Sequence, residues 1–466
     1  MESQTGTSSF GSASELSKEF RAALEEGVLK HWYPLVLDRA AGGYLTNITH
    51  DWKIAPEQEK MIVTQARHVW TTAKAADFTG QTTQFTEASR HGFEFLRDRM
   101  WDARDGGFFQ IRSREGGYSD FGGWREEKRT YGNAFGIYGL AAYYRLSRDP
   151  EVLGLARKAF DWIEEHAFDH ARKGYFQFLT REGIPFDSSG PYATVAMDKR
   201  ELGYKDQNSS IHLLEAYTEL YNVWADEVLE HKLRGLLELI RDTMVAKRGY
   251  LQLFFHPDWS PVSFRDASPE IRREHFGLDH VSFGHDYETA FLMLEASHAL
   301  KIEIDARTLT VARSMLDHAL ANGWDNRLGG FYDGGYYEAG KDSCTIIQPT
   351  KNWWAQAEGL NALIIFSRIF PDSDYQSYFL RQWEYVKKYI LDPKNGDWFE
   401  GGIDKEPRFI TGPKSHIWKC TYHTGRSLMN CIALLSDPKD SQEGIRRKRE
   451  ELDNLIDHWR RVASAS

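Results

Sequence analysis

One short signal recurs six times along the chain, and it limits the possible folds more than any other feature. A helical stretch ends, glycine permits a tight turn, and an aromatic residue or Leu starts a brief extended piece. The copies are Ala41-Gly42-Gly43-Tyr44-Leu45, Gly106-Gly107-Phe108-Phe109, Lys173-Gly174-Tyr175-Phe176, Arg248-Gly249-Tyr250-Leu251, Gly329-Gly330-Phe331-Tyr332 and Asn395-Gly396-Asp397-Trp398-Phe399. From Gly43 through Gly107, Gly174, Gly249, Gly330 and Gly396 the intervals are 64, 67, 75, 81 and 66 residues, and each holds two amphipathic helical stretches. In the second interval 131–146 and 151–166 read as helices, divided by the stop and restart signal Ser147-Arg148-Asp149-Pro150. Counted from a first helix over about 15–34, this makes twelve helices before a charged one near 442–462. Six such pairs closing on themselves form an all-α (α/α)6 barrel, with short extended hairpins between helices.

A chain of 466 residues would ordinarily divide into two or three domains, but a repeat lets one layered structure grow. The expected organisation is a disordered tail over 1–14, rich in Ser, Gly and Thr, then one catalytic barrel over 15–440 and a helical extension over 441–466. A net charge of −10 without a dense Lys/Arg tract excludes a nucleic-acid partner. No apolar run is long enough to cross a bilayer, and the first twenty residues lack a positive flank followed by an apolar core, so the expectation is a cytoplasmic protein with no membrane partner. Cys344, Cys420 and Cys431 are sparse and odd in number, as in a reducing compartment. Cys420-Thr421-Tyr422-His423 has a metal-like spacing, but no second pair completes a tetrahedral site, so no metal or other cofactor is expected. A monomer and a homodimer both fit the sequence.

Helices facing others on nearly every side should be apolar or small all round. The stretches 131–144, 353–366 and 285–296 fit, which makes the even-numbered helices the inner ring. Each inner helix nevertheless begins polar: Thr64-Gln65-Ala66-Arg67 in the second, Tyr131-Gly132-Asn133 in the fourth, Asn208-Ser209-Ser210-Ile211-His212 in the sixth, His285-Asp286-Tyr287-Glu288 in the eighth, Trp353-Trp354-Ala355-Gln356-Ala357-Glu358 in the tenth and Lys419-Cys420-Thr421-Tyr422-His423 in the twelfth. Parallel inner helices bring these first turns to one mouth, where their positive dipole ends converge. The candidate site therefore holds Arg67, His212, His285, Glu288, Glu358 and His423. Taken singly, each has a bland reading as a cap, a core ion pair or a packed ring. Glu288 follows His285 by three, a spacing that lets a helical carboxylate orient an imidazole. Three histidines and an arginine suit proton transfer, and neither a Walker loop nor a Gly-x-Ser-x-Gly elbow occurs. A glycoside hydrolase would need two opposed carboxylates, for which Asp286, Glu288 and Glu358 are the candidates.

The stretches Lys60-Met61-Ile62-Val63-Thr64-Gln65-Ala66-Arg67-His68-Val69-Trp70, Ile211-His212-Leu213-Leu214-Glu215-Ala216-Tyr217-Thr218, Gly284-His285-Asp286-Tyr287-Glu288, Trp353-Trp354-Ala355-Gln356-Ala357-Glu358 and Trp418-Lys419-Cys420-Thr421-Tyr422-His423 resemble the N-acylglucosamine 2-epimerase superfamily, and within it the cellobiose 2-epimerases. The likeness spans about 30–435. Two departures are Ser210, where the family usually has His, and Thr421, where it commonly has Pro. The resemblance implies inversion at C2 of the reducing-end glucose of a β-1,4-linked disaccharide, with an aldose–ketose isomerase as the alternative within the superfamily. It implies ring opening by His212, an enediolate stabilised by Arg67, and proton transfer by His285 and His423. Tyr131, Asn208, Glu288, Trp353, Trp354, Glu358 and Trp418 are then the expected sugar-binding residues.

Overall fold

The computed structural model describes residues 12–186 and 200–465. Six inner helices are α3 (Ile62–Thr79), α5 (Thr130–Ser147), α7 (Gln207–Tyr221), α10 (Phe283–Ala299), α12 (Trp353–Ile369) and α14 (Tyr422–Leu435). Each packs on the next, and α14 returns to α3, which closes the ring. The outer ring is α1 (Ala13–Ala22), continued through a π-helical turn into α2 (Lys30–Trp32), then α4 (Thr82–Phe95), α6 (Pro150–His166), α8 (Glu227–Leu239), α11 (Ala306–Gly323) and α13 (Tyr375–Tyr389). The inner stretches are apolar or small on every face because they touch neighbours on every face. The expected (α/α)6 barrel, with the second helix of each pair inside, is the fold observed. Among the described residues two further α-helices lie outside the rings: α9 (Pro269–Asp279), in the connection before α10, and α15 (Glu443–Ala465).

The first helix begins two residues inside the span assigned to a disordered tail. Ser12 accepts from the Glu15 amide while Glu15 accepts from the Ser12 amide, a reciprocal cap that fixes the start at Ala13. Residues 1–11 of that tail lie outside the described residues. At the other end α15 packs across α3, α10, α12 and α14, with Trp459 fully buried. No helix among the described residues is long and apolar enough to cross a membrane.

The extended pieces pair between successive repeats. β1 (Lys60–Met61) runs antiparallel to β2 (Ile111–Arg112), β3 (Lys128–Arg129) to β4 (Phe178–Leu179), and β5 (Lys205–Asp206) to β6 (Phe254–Phe255). β7 (Val281–Ser282), β8 (Gly334–Tyr337) and β9 (Cys344–Gln348) form a three-stranded sheet. Two side-chain devices lock these pieces to the glycine turns. In five repeats a buried lysine ahead of the inner helix binds the aspartate that opens the turn: Lys60 to Asp38, Lys128 to Asp102, Lys205 to Asp169, Lys351 to Asp325 and Lys414 to Asp392, at 2.7–3.0 Å. The same ammonium also donates to a backbone carbonyl at the turn, such as Gly329 or Gly396. The fourth repeat has Ala246 and Val281 at the two corresponding places, so charge and counter-charge are absent together. A buried ion pair and an apolar pair are close in net stability, whereas half a pair is not.

The second device joins four of the six turns to the fourth residue of an inner helix. Gln65, Asn133, Asp286 and Gln356 accept from the amides of Tyr44, Phe108, Leu251 and Phe331 at 2.7–3.1 Å. Gly107 shows why the turn requires glycine: its φ is +71°, and a Cβ would stand 2.7 Å from the Trp162 ring. Asp286 is thereby corrected. Its carboxylate holds a turn and lies 3.4 Å from His318, so it leaves the set of candidate hydrolytic acids.

Candidate active site

Counting inward from each helix start places the polar side chains in layers. The second residues of α5, α7, α12 and α14 are Tyr131, Asn208, Trp354 and His423, and they form the mouth together with His285, the third residue of α10. One turn deeper, the sixth residues of five inner helices are Arg67, Phe135, His212, Glu288 and Glu358. Parallel helices in register bring equal positions to equal depth, so side chains distant in sequence meet.

Arg67 is buried and donates to the Tyr131 hydroxyl at 3.0 Å, with its guanidinium over the Phe135 and Tyr422 rings. His212 bonds through Nδ1 to Glu215 at 2.9 Å and packs on Phe135 and Tyr131. His285 bonds through Nδ1 to Ser282 Oγ at 2.7 Å, and His423 through Nδ1 to Glu358 at 2.7 Å. Both imidazoles flank one indole, with ring centres 4.8 and 5.7 Å from that of Trp354. Neither Nε2 has a hydrogen-bond partner among the described residues. Desolvation, with smaller repulsion from His212 and His280, lowers His285 to about 3, and desolvation with the nearby Arg67 and Arg426 charges holds His423 well below its ordinary value. Both rings are neutral at neutral pH.

The expected contact between Glu288 and His285 does not form. His285 lies in the first turn of its helix, and its ring is held by Ser282 just ahead of that helix. Glu288 turns instead to Arg426 at 2.8 Å. The same i, i+3 spacing does join His212 to Glu215, one turn deeper in α7. Trp353 lies one residue before Trp354, at the start of α12. It is 6% exposed, and its ring meets His416 and the Lys419 ammonium. Trp418 is 37% exposed at the mouth beside Tyr131, and Asn208 is half-buried there.

Arg426 and Glu215 are the polar centre that sequence reasoning missed. The Arg426 guanidinium binds Glu215, Glu288 and Glu358, carboxylates from three different inner helices, and Tyr422 also donates to Glu215. Burial alone would raise all three carboxyls. Against burial, Arg426 and His212 hold Glu215 down at about 2. Burial prevails at the other two: Glu288, also repelled by Glu358, and Glu358 itself are raised to about 7. Glu358 Oε2 is buried without a partner, which the carbonyl oxygen of a neutral carboxyl bears better than a carboxylate oxygen would. A signal was available, because an arginine inside the otherwise apolar helix 422–435 demands buried counter-charges.

Among the described residues one group has metal-like spacing, Glu288, Glu358 and His423, whose ligand atoms lie within 4.8 Å of one another. Arg426 Nη2 already donates to the Oε1 atoms of both glutamates, at 2.8 and 2.7 Å. The guanidinium therefore stands where an ion would have to sit.

Known proteins carry the same architecture over nearly their whole length. The chain is 29% identical to a cellobiose 2-epimerase of Bacteroides fragilis, over 91% of this chain and 99% of that protein. It is 23% identical to a D-mannose isomerase of Marinomonas mediterranea, over 88% and 95%. The solved structure of cellobiose 2-epimerase from Spirochaeta thermophila superposes with a TM-score of 0.74 at 25% identity, covering 91% of this chain and 97% of that one. Residues 43–424 match the pattern of one family, and the chain belongs to it: the N-acylglucosamine 2-epimerase (GlcNAc 2-epimerase) family of carbohydrate epimerases and isomerases.

Proposed function

We propose that the chain is a sugar 2-epimerase that inverts C2 of the reducing-end glucose of cellobiose. The observation that carries this reading is the pair of neutral imidazoles flanking Trp354, each held at Nδ1 and free at Nε2. His212, oriented by Glu215, moves the proton between O1 and O5 that opens the pyranose ring. One imidazole Nε2 then takes the C2 proton, and the C–H electron pair becomes the C1–C2 double bond of a cis-enediolate. Arg67, steadied by Tyr131, faces the charge that develops on oxygen. The other imidazole returns a proton to the opposite face of C2. For His423 the balance is internal: as Nε2 gives up its proton, Nδ1 receives one from the protonated Glu358. Trp354 and Trp418 offer flat faces to the sugar rings.

The aldose–ketose isomerase shares the enediolate and differs in returning the proton to C1, a task that one base can perform. Two separately held imidazoles favour epimerisation. The hydrolase needs carboxyls about 5 Å or more apart and free to act on the glycosidic bond, whereas Glu288 and Glu358 both bind one guanidinium. In heavy water with cellobiose the expected product is 4-O-glucosyl-mannose carrying deuterium at C2, its glycosidic bond intact. A 2-ketose product would mark the isomerase, and free glucose as the main product would refute the epimerase reading.

A further inference from the structure

Trp418 stands 37% exposed at the mouth, edge-on to Trp124 and tilted against Tyr131, with ring centres 6.1 and 6.4 Å away. An exposed indole keeps one place only if the backbone beneath it is held. Residues 416–419 form a tight turn, in which the Lys419 amide donates to the His416 carbonyl at 3.1 Å. Three ties fix it. Thr64 of α3 donates to the Ile417 carbonyl, and the Lys419 ammonium binds Asp397 and the Lys414 carbonyl, each at 2.8 Å. The third tie belongs to Trp418 itself, whose amide donates to Nδ1 of the His416 ring at 3.2 Å.

That tie depends on a tautomer. Nδ1 accepts only when it carries no proton, so the ring proton sits on Nε2, which donates it to Glu400 Oε1 at 3.1 Å. Glu400 is anchored in turn, its carbonyl accepting from the amide of Trp353, the first residue of α12, at 3.0 Å. The Trp353 ring stands edge-on to the imidazole, with ring centres 6.0 Å apart. Carboxylate and indole together hold the His416 ring in the one state that can accept from Trp418.

We propose that His416 is a positioning residue for sugar binding, which holds the Trp418 backbone so that the indole is preorganised to stack on the sugar unit beyond the reacting one. This rests on the epimerase reading, in which Trp354 lies between the two imidazoles and the more exposed Trp418 is left for the second glucose of cellobiose. His416 acts through Trp418. Without its acceptor, ordering of the turn is added to the cost of binding, while proton transfer at C2 is unaffected.

The test reads cellobiose binding by isothermal titration in a His423→Ala background, where the sugar is bound without turnover, and kcat in the chain with His423 intact. His416→Gln keeps a nitrogen for Glu400 and loses the acceptor for the Trp418 amide, whereas His416→Asn places an oxygen where Nδ1 stood. His416→Gln is expected to weaken binding about threefold or more, with kcat changed less than about twofold, and His416→Asn to bind as wild type does. In a Trp418→Ala background His416→Gln should add nothing, because its effect passes through that indole. Circular dichroism establishes that each variant is folded. Unchanged binding in His416→Gln, an equal loss in His416→Asn, the same further loss on top of Trp418→Ala, a large fall in kcat, or absence of saturable cellobiose binding overturns the proposal. Binding is measured without turnover, so the product analysis in heavy water judges the epimerase reading separately.

Discussion

Replacing Glu215 by Gln keeps the side-chain volume and removes one of the three negative charges around Arg426. Glu215 is 4% exposed and is held at about 2 against an ordinary 4.5. At 1.36 kcal/mol for each tenfold change in acidity, the difference corresponds to about 3 kcal/mol of preference for the ionised form in the folded chain. The folded value is the lower one, so this stabilisation is fully present above about 4.5 and is lost as pH falls toward 2. Glu215→Gln should therefore lower the unfolding free energy by about 3 kcal/mol at pH 7, and the gap between variant and wild type should shrink to under half by roughly pH 3. Urea denaturation of both proteins at pH 7, 5, 4 and 3 measures that gap directly. A gap below about 1 kcal/mol at pH 7, or one that is the same at pH 7 and pH 3, would refute the claim that Arg426 and His212 hold this carboxylate ionised.

Alanine at His285 or at His423 should each lower epimerisation by about 10²–10⁴-fold with the helical circular dichroism unchanged, and near wild-type turnover in either variant would remove that residue from proton transfer. Exhaustive treatment with a chelator should leave the rate unchanged, since Arg426 fills the position between Glu288 and Glu358; loss of activity restored by one divalent ion would reverse that reading. Asp286→Ala strands the buried Leu251 amide and should cost about 1–3 kcal/mol of stability by denaturant titration, with kcat per folded molecule retained. A large loss of kcat at full stability would return Asp286 to the site.

The barrel was legible because its cause is local and repeated. Six glycine turns at similar spacing leave few ways to close a chain, and the apolar character of 131–144 and 353–366 marks which helices face inward. The mouth was legible for a related reason, since unusual residues at the starts of parallel helices must meet. What stayed hidden depended on depth and partner. His212–Glu215 and His285–Glu288 have the same spacing, yet only the first pair forms, because Ser282 holds the His285 ring and Arg426 draws Glu288 away. The lysine–aspartate pairs were in plain sight as residues, but Lys60 and Asp38 are 22 positions apart and belong to different elements, so no local pattern joins them. The fourth repeat makes the physical rule visible. Ala246 and Val281 replace both members of the pair at once, as they must if a single buried charge without its partner costs several kcal/mol while an apolar pair costs little. The same rule governs the site, where three buried glutamates from three helices are tolerated because Arg426 reaches them all, and where Glu288 and Glu358, at which burial outweighs that attraction, are the ones left able to hold a proton near neutral pH.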